Sequence, residues 1–173
     1  MNAAAEVSEA EGAARGELIW RLLGEIADPE IPVLSIVDLG VVRHVRRAAD
    51  GHWEVGITPT YSGCPATEVI RRTVRATLDA AGLAAARIDE VLSPPWTSDW
   101  LTPAAHGKLK AYGIAPPQAA VSSPRRLWHV TLVPCPRCDS RATERVSEFG
   151  STPCKAHYRC RDCGEPFDYF KCL

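Results

Sequence analysis

Cys135-Pro136-Arg137-Cys138 and Cys160-Arg161-Asp162-Cys163 are two CxxC pairs separated by 21 residues. Each pair can turn tightly enough to aim two thiolates at one ion, and two such knuckles complete a tetrahedron. The gap accommodates two antiparallel strands and a return, so the spacing predicts a β-rich zinc ribbon over residues 128–173. A module this short buries too little apolar surface to fold unaided. Metal binding, worth about 10–16 kcal/mol in small zinc peptides, supplies the difference. The same four thiolates also suit rubredoxin-like iron or an iron–sulfur cluster. Zinc is preferred because closed CxxC pairs are the usual structural zinc donors. Cys154 and Cys172 are spare thiols. Buried, they serve as small apolar residues; the sharper alternative makes them substitute metal ligands. His157 is read as a strand residue.

The composition narrows the class. There are seven cysteines, only Cys64 lying before residue 135. The odd total, the CxxC pairs and an acidic N-terminus with no apolar signal region argue against a disulfide framework. The expectation is a reduced, cytoplasmic chain. No run is long and apolar enough to span a bilayer. A formal charge of −1 advertises no nucleic-acid partner.

Outward from the ribbon, residues 1–16 read as a flexible tail, 17–113 as a small α+β domain and 114–127 as a Pro- and Ser-containing linker. Leu18, Ile19, Leu22, Leu23 and Ile26 recur at helical spacing, with Trp20 off the stripe. Pro29 predicts a stop at Asp28. Val41–Arg47 reads as a strand, Asp50-Gly51 as a hairpin turn, and Trp53, Val55 and Ile57 as one face of the next strand. A helix opens near Cys64 with Pro65 suited to its first position, apolar along Ile70, Val74, Leu78 and Ala81 and closed by Gly82. Ile88–Leu92 is a third strand. Thr102-Pro103 caps a short helix that ends near Tyr112 before Gly113. This order fits a two-layer α+β fold.

Thr58-Pro59-Thr60-Tyr61-Ser62-Gly63-Cys64-Pro65 is the second informative stretch. A cysteine at a helix N-terminus meets the positive end of the helix dipole, which favours a thiolate able to hold a soft metal. An inert packed cysteine is the equal alternative. Asp28 and Glu30 place two carboxylates in a stiff loop, where helix capping and solvation are the plainer reading. His44, His52 and His106 have no ligand spacing.

Asp28-Pro29-Glu30-Ile31-Pro32, Ile36-Val37-Asp38-Leu39-Gly40 and Thr60…Gly63-Cys64-Pro65 together resemble the iron–sulfur assembly family that includes SufT. Many of its members have Pro where this chain has Ser62. Pro95-Trp96-Thr97-Ser98-Asp99-Trp100, Lys110-Ala111-Tyr112-Gly113-Ile114, Phe149-Gly150-Ser151-Thr152-Pro153-Cys154-Lys155 and Glu165–Lys171 extend the resemblance to the PaaD family of phenylacetyl-CoA epoxidase systems. The resemblance implies a non-catalytic accessory role in aerobic phenylacetate catabolism, the maturation of a metal centre in a partner. Cys64 would be a transient ligand of iron or an iron–sulfur cluster, supported by Asp28 and Glu30. The implied client is the iron–sulfur flavoprotein reductase, with the oxygenase subunits second and a homodimer open. The alternative is a structural or regulatory subunit without metal transfer. The chain has no paired Glu-x-x-His motifs, no Gly-rich dinucleotide fingerprint and no plant-type ferredoxin spacing. It is therefore not expected to carry out the epoxidation or to carry its electrons.

Overall fold

The computed structural model describes residues 3–61, 63–118 and 133–172. Ser62, the greater part of the expected linker and the start of the ribbon at 128–132 lie outside the described residues. The chain divides into two compact units, Met1–Trp96 and Thr97–Leu173.

The first unit opens with helix α1, Ala3–Gly24. The helix reaches back through the segment that composition reads as a tail. Ile19 and Leu23 of the expected stripe are wholly buried, while Trp20 is exposed. The helix ends four residues before Asp28, because the backbone beyond it is drawn into another pairing. The Ile26 carbonyl accepts from the Ile36 N–H at 2.9 Å, and the Asp28 N–H donates to the Leu34 carbonyl at 2.8 Å. Strands β1 (Val42–Arg47) and β2 (Trp53–Ile57) form an antiparallel hairpin. Helix α2 (Ala66–Ala80) then crosses over to β3 (Arg87–Glu90), which runs parallel to β2. Parallel neighbours need such a crossover.

The sheet order is β1-β2-β3. Val55 and Ile57 point to the core, where Ile70, Val74 and Leu78 of α2 are also buried. Gly56 faces the other way, and a Cβ there would lie 2.3 Å from Cε1 of His44. That side of the central strand has room for the imidazole only because residue 56 has no side chain.

The second unit begins with a single 3₁₀ turn, Ser98–Trp100, and helix α3, Pro103–Tyr112. Thr102 caps α3 by accepting the Ala105 N–H at 3.2 Å. Gly113 closes it in the left-handed region at φ 93°. The chain passes directly into β4, Ile114–Ala115, so the segment read as linker starts with a strand instead. Non-local pairing outweighs its Pro-rich composition: Ile114 and Ala115 lie beside Asp168 and Tyr169 of β7 (Pro166–Phe170). With β5 (Thr143–Ser147) and β6 (Lys155–Cys160) the sheet order is β4-β7-β6-β5. Its small core comprises Ala115, Val133, Ala156, Tyr158, Phe167 and Tyr169, together with Cys135 and Cys160. Tyr158 stacks on Phe167 at 5.8 Å and meets Tyr169 edge-on at 5.7 Å.

Candidate functional site

Two thiol sites stand out, one in each unit. In the ribbon the sulfurs of Cys135, Cys138, Cys160 and Cys163 all lie within 4.8 Å of one another. Cys135 and Cys163 are 3.7 Å apart, and Cys138 and Cys160 3.6 Å. A tetrahedral ion with bonds of about 2.3 Å to sulfur requires edges near 3.8 Å. A disulfide needs about 2.05 Å. The donor set therefore fits zinc and would hold it as a closed structural cross-link.

The two knuckles repeat each other. The Cys135 carbonyl accepts from the Asp139 N–H at 3.0 Å, and the Cys160 carbonyl from the Gly164 N–H at 3.0 Å. The Cys135 N–H donates to the Ser140 carbonyl, and the Cys160 N–H to the Glu165 carbonyl, both at 2.9 Å. The chain reverses at the same point in each, with φ 58° at Asp139 and 77° at Gly164. Asp139 also pairs with Lys110 of α3 at 2.6 Å. Aligning the two CxxC pairs in the sequence, CxxCD with CxxCG, would have exposed this shared turn. The four thiols are not equivalent. Against the Ser140 N–H, the Cys163 sulfur and burial push the Cys138 thiol up to about 12. Against the Glu165 N–H, burial together with the Cys160 and Cys135 sulfurs raises the Cys163 thiol, whereas Cys160 is drawn down. The Cys163 N–H, helped by that of Asp162 and opposed by burial, draws the Cys160 thiol from 9.0 to about 7. One cysteine of each knuckle, Cys135 and Cys160, is buried, while Cys138 and Cys163 are exposed.

Cys154 and Cys172 lie outside the four-sulfur cluster. Cys154 is buried with its sulfur 3.0 Å from Thr152 Oγ1. Cys172 is exposed and donates to the Gln118 carbonyl at 3.1 Å. His157 sits in β6 as a strand residue, 3.4 Å from Asp168.

The other thiol, Cys64, is half-buried just ahead of α2. Gly63 takes φ 81°, which swings the chain into the junction. The Cys64 N–H donates to the Tyr61 carbonyl, and its own carbonyl accepts from the Thr67 N–H, both at 3.2 Å. Pro65 occupies the cap position with helical dihedrals and no side-chain cap bond, so the helix proper starts at Ala66.

The acidic loop is built differently from a pair of free carboxylates. Asp28 is buried, and its Oδ1 accepts the N–H groups of Glu30 at 2.9 Å and Ile31 at 2.8 Å. It fixes the loop from within, while Glu30 remains half-exposed. The following turn is closed by a reciprocal pair. Asp38 Oδ2 accepts from both the Ser35 N–H and its hydroxyl, and Ser35 Oγ accepts the Asp38 N–H, each at 3.0 Å. Trp96, buried, donates its indole N–H to the Leu39 carbonyl at 2.9 Å. Ser-x-x-Asp is legible as a local capping pattern, but nothing local announces the reach of Trp96.

Residues 17–91 match the family described as iron-sulfur cluster assembly protein, and residues 120–171 the PaaD zinc beta ribbon domain. A protein of Escherichia coli (strain K12) named as a subunit of 1,2-phenylacetyl-CoA epoxidase is 51% identical over 90% of this chain and 92% of its own length. The chain belongs to the PaaD family of phenylacetyl-CoA epoxidase subunits. This PaaD-family chain is also 37% identical to an Fe-S protein maturation auxiliary factor of Porphyromonas gingivalis, over 50% of this chain and 82% of that one. A crystal structure of a domain of unknown function, DUF59, from Bacillus anthracis superimposes with a TM-score of 0.53 at 24% identity. It covers 58% of this chain and 96% of its own, so the PaaD-family chain shares the DUF59 α+β fold. Among the described residues no helix is long and apolar enough to cross a membrane.

Proposed function

We propose that this chain is a non-catalytic accessory protein of a phenylacetyl-CoA epoxidase system, acting in the cytoplasm in aerobic phenylacetate breakdown. Its task is to help assemble a metal centre in a partner, the iron–sulfur reductase first and the oxygenase subunits second. The observation that carries this reading is the unlike coordination offered by the two thiol sites. Four sulfurs in the ribbon close around one ion, and such a site gives up its metal slowly. Cys64 is half-exposed at a loop–helix junction. A single thiolate fills one position on iron or on a small cluster and leaves the rest to the recipient, which suits transfer. The names of the relatives, an epoxidase subunit and an Fe-S maturation factor, support the same reading.

In this scheme iron or an iron–sulfur cluster is cargo, and zinc in the ribbon is structural. The ribbon serves as a rigid docking platform. Asp28 shapes the loop through its backbone bonds, and Glu30 lies half-exposed on the same loop. The inward use of Asp28 also favours a second reading, a structural subunit in which the loop and Cys64 only pack.

Co-production of the reductase with wild-type or Cys64→Ala protein separates the two. Transfer predicts that the variant folds and binds the reductase while iron and acid-labile sulfide per reductase fall severalfold. Equal cluster content with both proteins, and equal epoxidase activity in cells, would leave the structural reading standing.

A further inference from the structure

The α+β unit carries a second concavity at the far end of β2 from Cys64. Ile57 leads into the thiol loop, whereas Trp53, about 13 Å away along the strand, borders a cleft of about 740 Å³. The cleft lies among α1, the β1–β2 turn and the loop after α2. Its size is that of a pocket for a small organic molecule. The cleft is open beside Gly12 and Gly82, where a Cβ would meet nothing within 4 Å. Gly16 brings α1 close to the indole, its Cβ position lying 3.2 Å from Trp53 Cη2.

The charges of the cleft are uneven. Arg15 and Arg47 line it against one carboxylate, Glu11. The neighbouring Asp50 is engaged by Arg87 at 2.8 Å and by His52 at 3.2 Å. Among the described residues no carboxylate pairs with Arg15 or Arg47, and Arg47 donates only to the Gly51 carbonyl at 3.2 Å. Two guanidinium groups without anions, beside an aromatic wall in a cleft of this volume, match a ligand with a phosphate end and a flat ring.

We infer that this cleft binds the adenosine diphosphate group, as a free nucleotide or as the nucleotide end of coenzyme A. The arginines hold the phosphates, and the Trp53 indole packs on the adenine. The site stands apart from Cys64 and does not depend on the assembly role.

Calorimetric titration of the full-length, zinc-loaded protein with ADP, coenzyme A, pyrophosphate and adenosine tests the inference, with tryptophan fluorescence followed in parallel. ADP and coenzyme A should bind and quench fluorescence, and pyrophosphate and adenosine should each bind at least tenfold more weakly. Coenzyme A binding tenfold tighter than ADP identifies the ester carrier as the ligand; equal affinities identify a free nucleotide. Both results support the site. Arg15→Ala combined with Arg47→Ala should weaken ADP at least tenfold with an unchanged circular dichroism spectrum. Trp53→Phe should abolish the quench while keeping measurable heat of binding. No heat with millimolar ADP or coenzyme A overturns the inference. So does pyrophosphate binding as tightly as ADP, or ADP affinity unchanged in the double variant.

Discussion

The two units of this chain solve the folding problem by different means. The α+β unit buries long aliphatic side chains from every layer, with Ile19, Leu23, Leu34, Ile36, Ile57 and Leu78 wholly enclosed. The ribbon counts two of its own metal ligands, Cys135 and Cys160, among the eight residues of its core cluster. In the first unit a site is placed upon a core that exists without it. In the second the site forms part of the core, so losing the metal also removes the packing. An adaptable, half-exposed thiol belongs on the first kind of scaffold, and a permanent ion in the second.

Cys160→Ser should break this comparison most severely. It removes a ligand and introduces a buried hydroxyl. The ribbon should then lose its zinc and its structure together, a deficit on the order of 10 kcal/mol of metal-derived stability. Elemental analysis should fall from one zinc per chain to none, while amide exchange shows α1 to β3 still protected. A native ribbon after chelation would disprove the dependence.

Acid should have nearly as large an effect. Even before a metal adds its charge, the folded Cys160 thiol lies at about 7 against an ordinary 9.0. A folded-state pKa below the unfolded one contributes stability above the ordinary value and loses it as pH falls through the folded one. Bound metal lowers thiol pKa further, so the loss falls below pH 7. Zinc release and ribbon unfolding should coincide on acidification, while the α+β unit remains. Loss of both units at one pH would merge the two regions into one.

Leu78→Ala tests the opposite unit. Removing a fully buried leucine from α2 should cost about 2–5 kcal/mol. The loss should appear in the α+β transition alone, with zinc content unchanged. Trp96→Phe is smaller. It leaves the buried Leu39 carbonyl without its indole donor, for about 1–3 kcal/mol, again without altering zinc.

The smallest effects lie in the knuckles. Gly164→Ala places a Cβ in the left-handed region and should cost about 1–2 kcal/mol. Asp139→Gly relieves a milder strain and gives up the exposed ion pair with Lys110, worth under about 1 kcal/mol, so thermal melting should barely move. A large loss from Asp139→Gly would show that the Lys110 contact, rather than the turn, holds that knuckle.

Sequence spacing made the local elements readable. The Ile70-Val74-Leu78 stripe, the Thr102 cap and the Gly113 stop each lie where short-range physics places them. The CxxC pairs named the four sulfurs that the structure brings together. Long-range pairings were not legible. Nothing in Arg87–Glu90 marks it as parallel to β2, and Ile114–Ala115 looks like the start of a linker until β7 is beside it. Asp28 shows the same limit at the site. Its residue type suggested a carboxylate for chemistry or capping, and only the positions of the Glu30 and Ile31 amides reveal that its Oδ1 accepts from its own loop.

The indole of Trp96 has a consequence for how the molecule is made. Its bond to the Leu39 carbonyl joins residues 57 apart in the chain. At typical synthesis rates of about 5–20 residues per second, Leu39 is polymerised roughly 3–11 s before its donor. Throughout that interval the turn after the acidic loop lacks its final tie. A nascent chain halted at Val91, where the assembly-family match ends, carries Asp28 and Cys64 but not this bond. The turn is thus complete in composition before it is complete in support, and Trp96, the last residue of the first unit, finishes it.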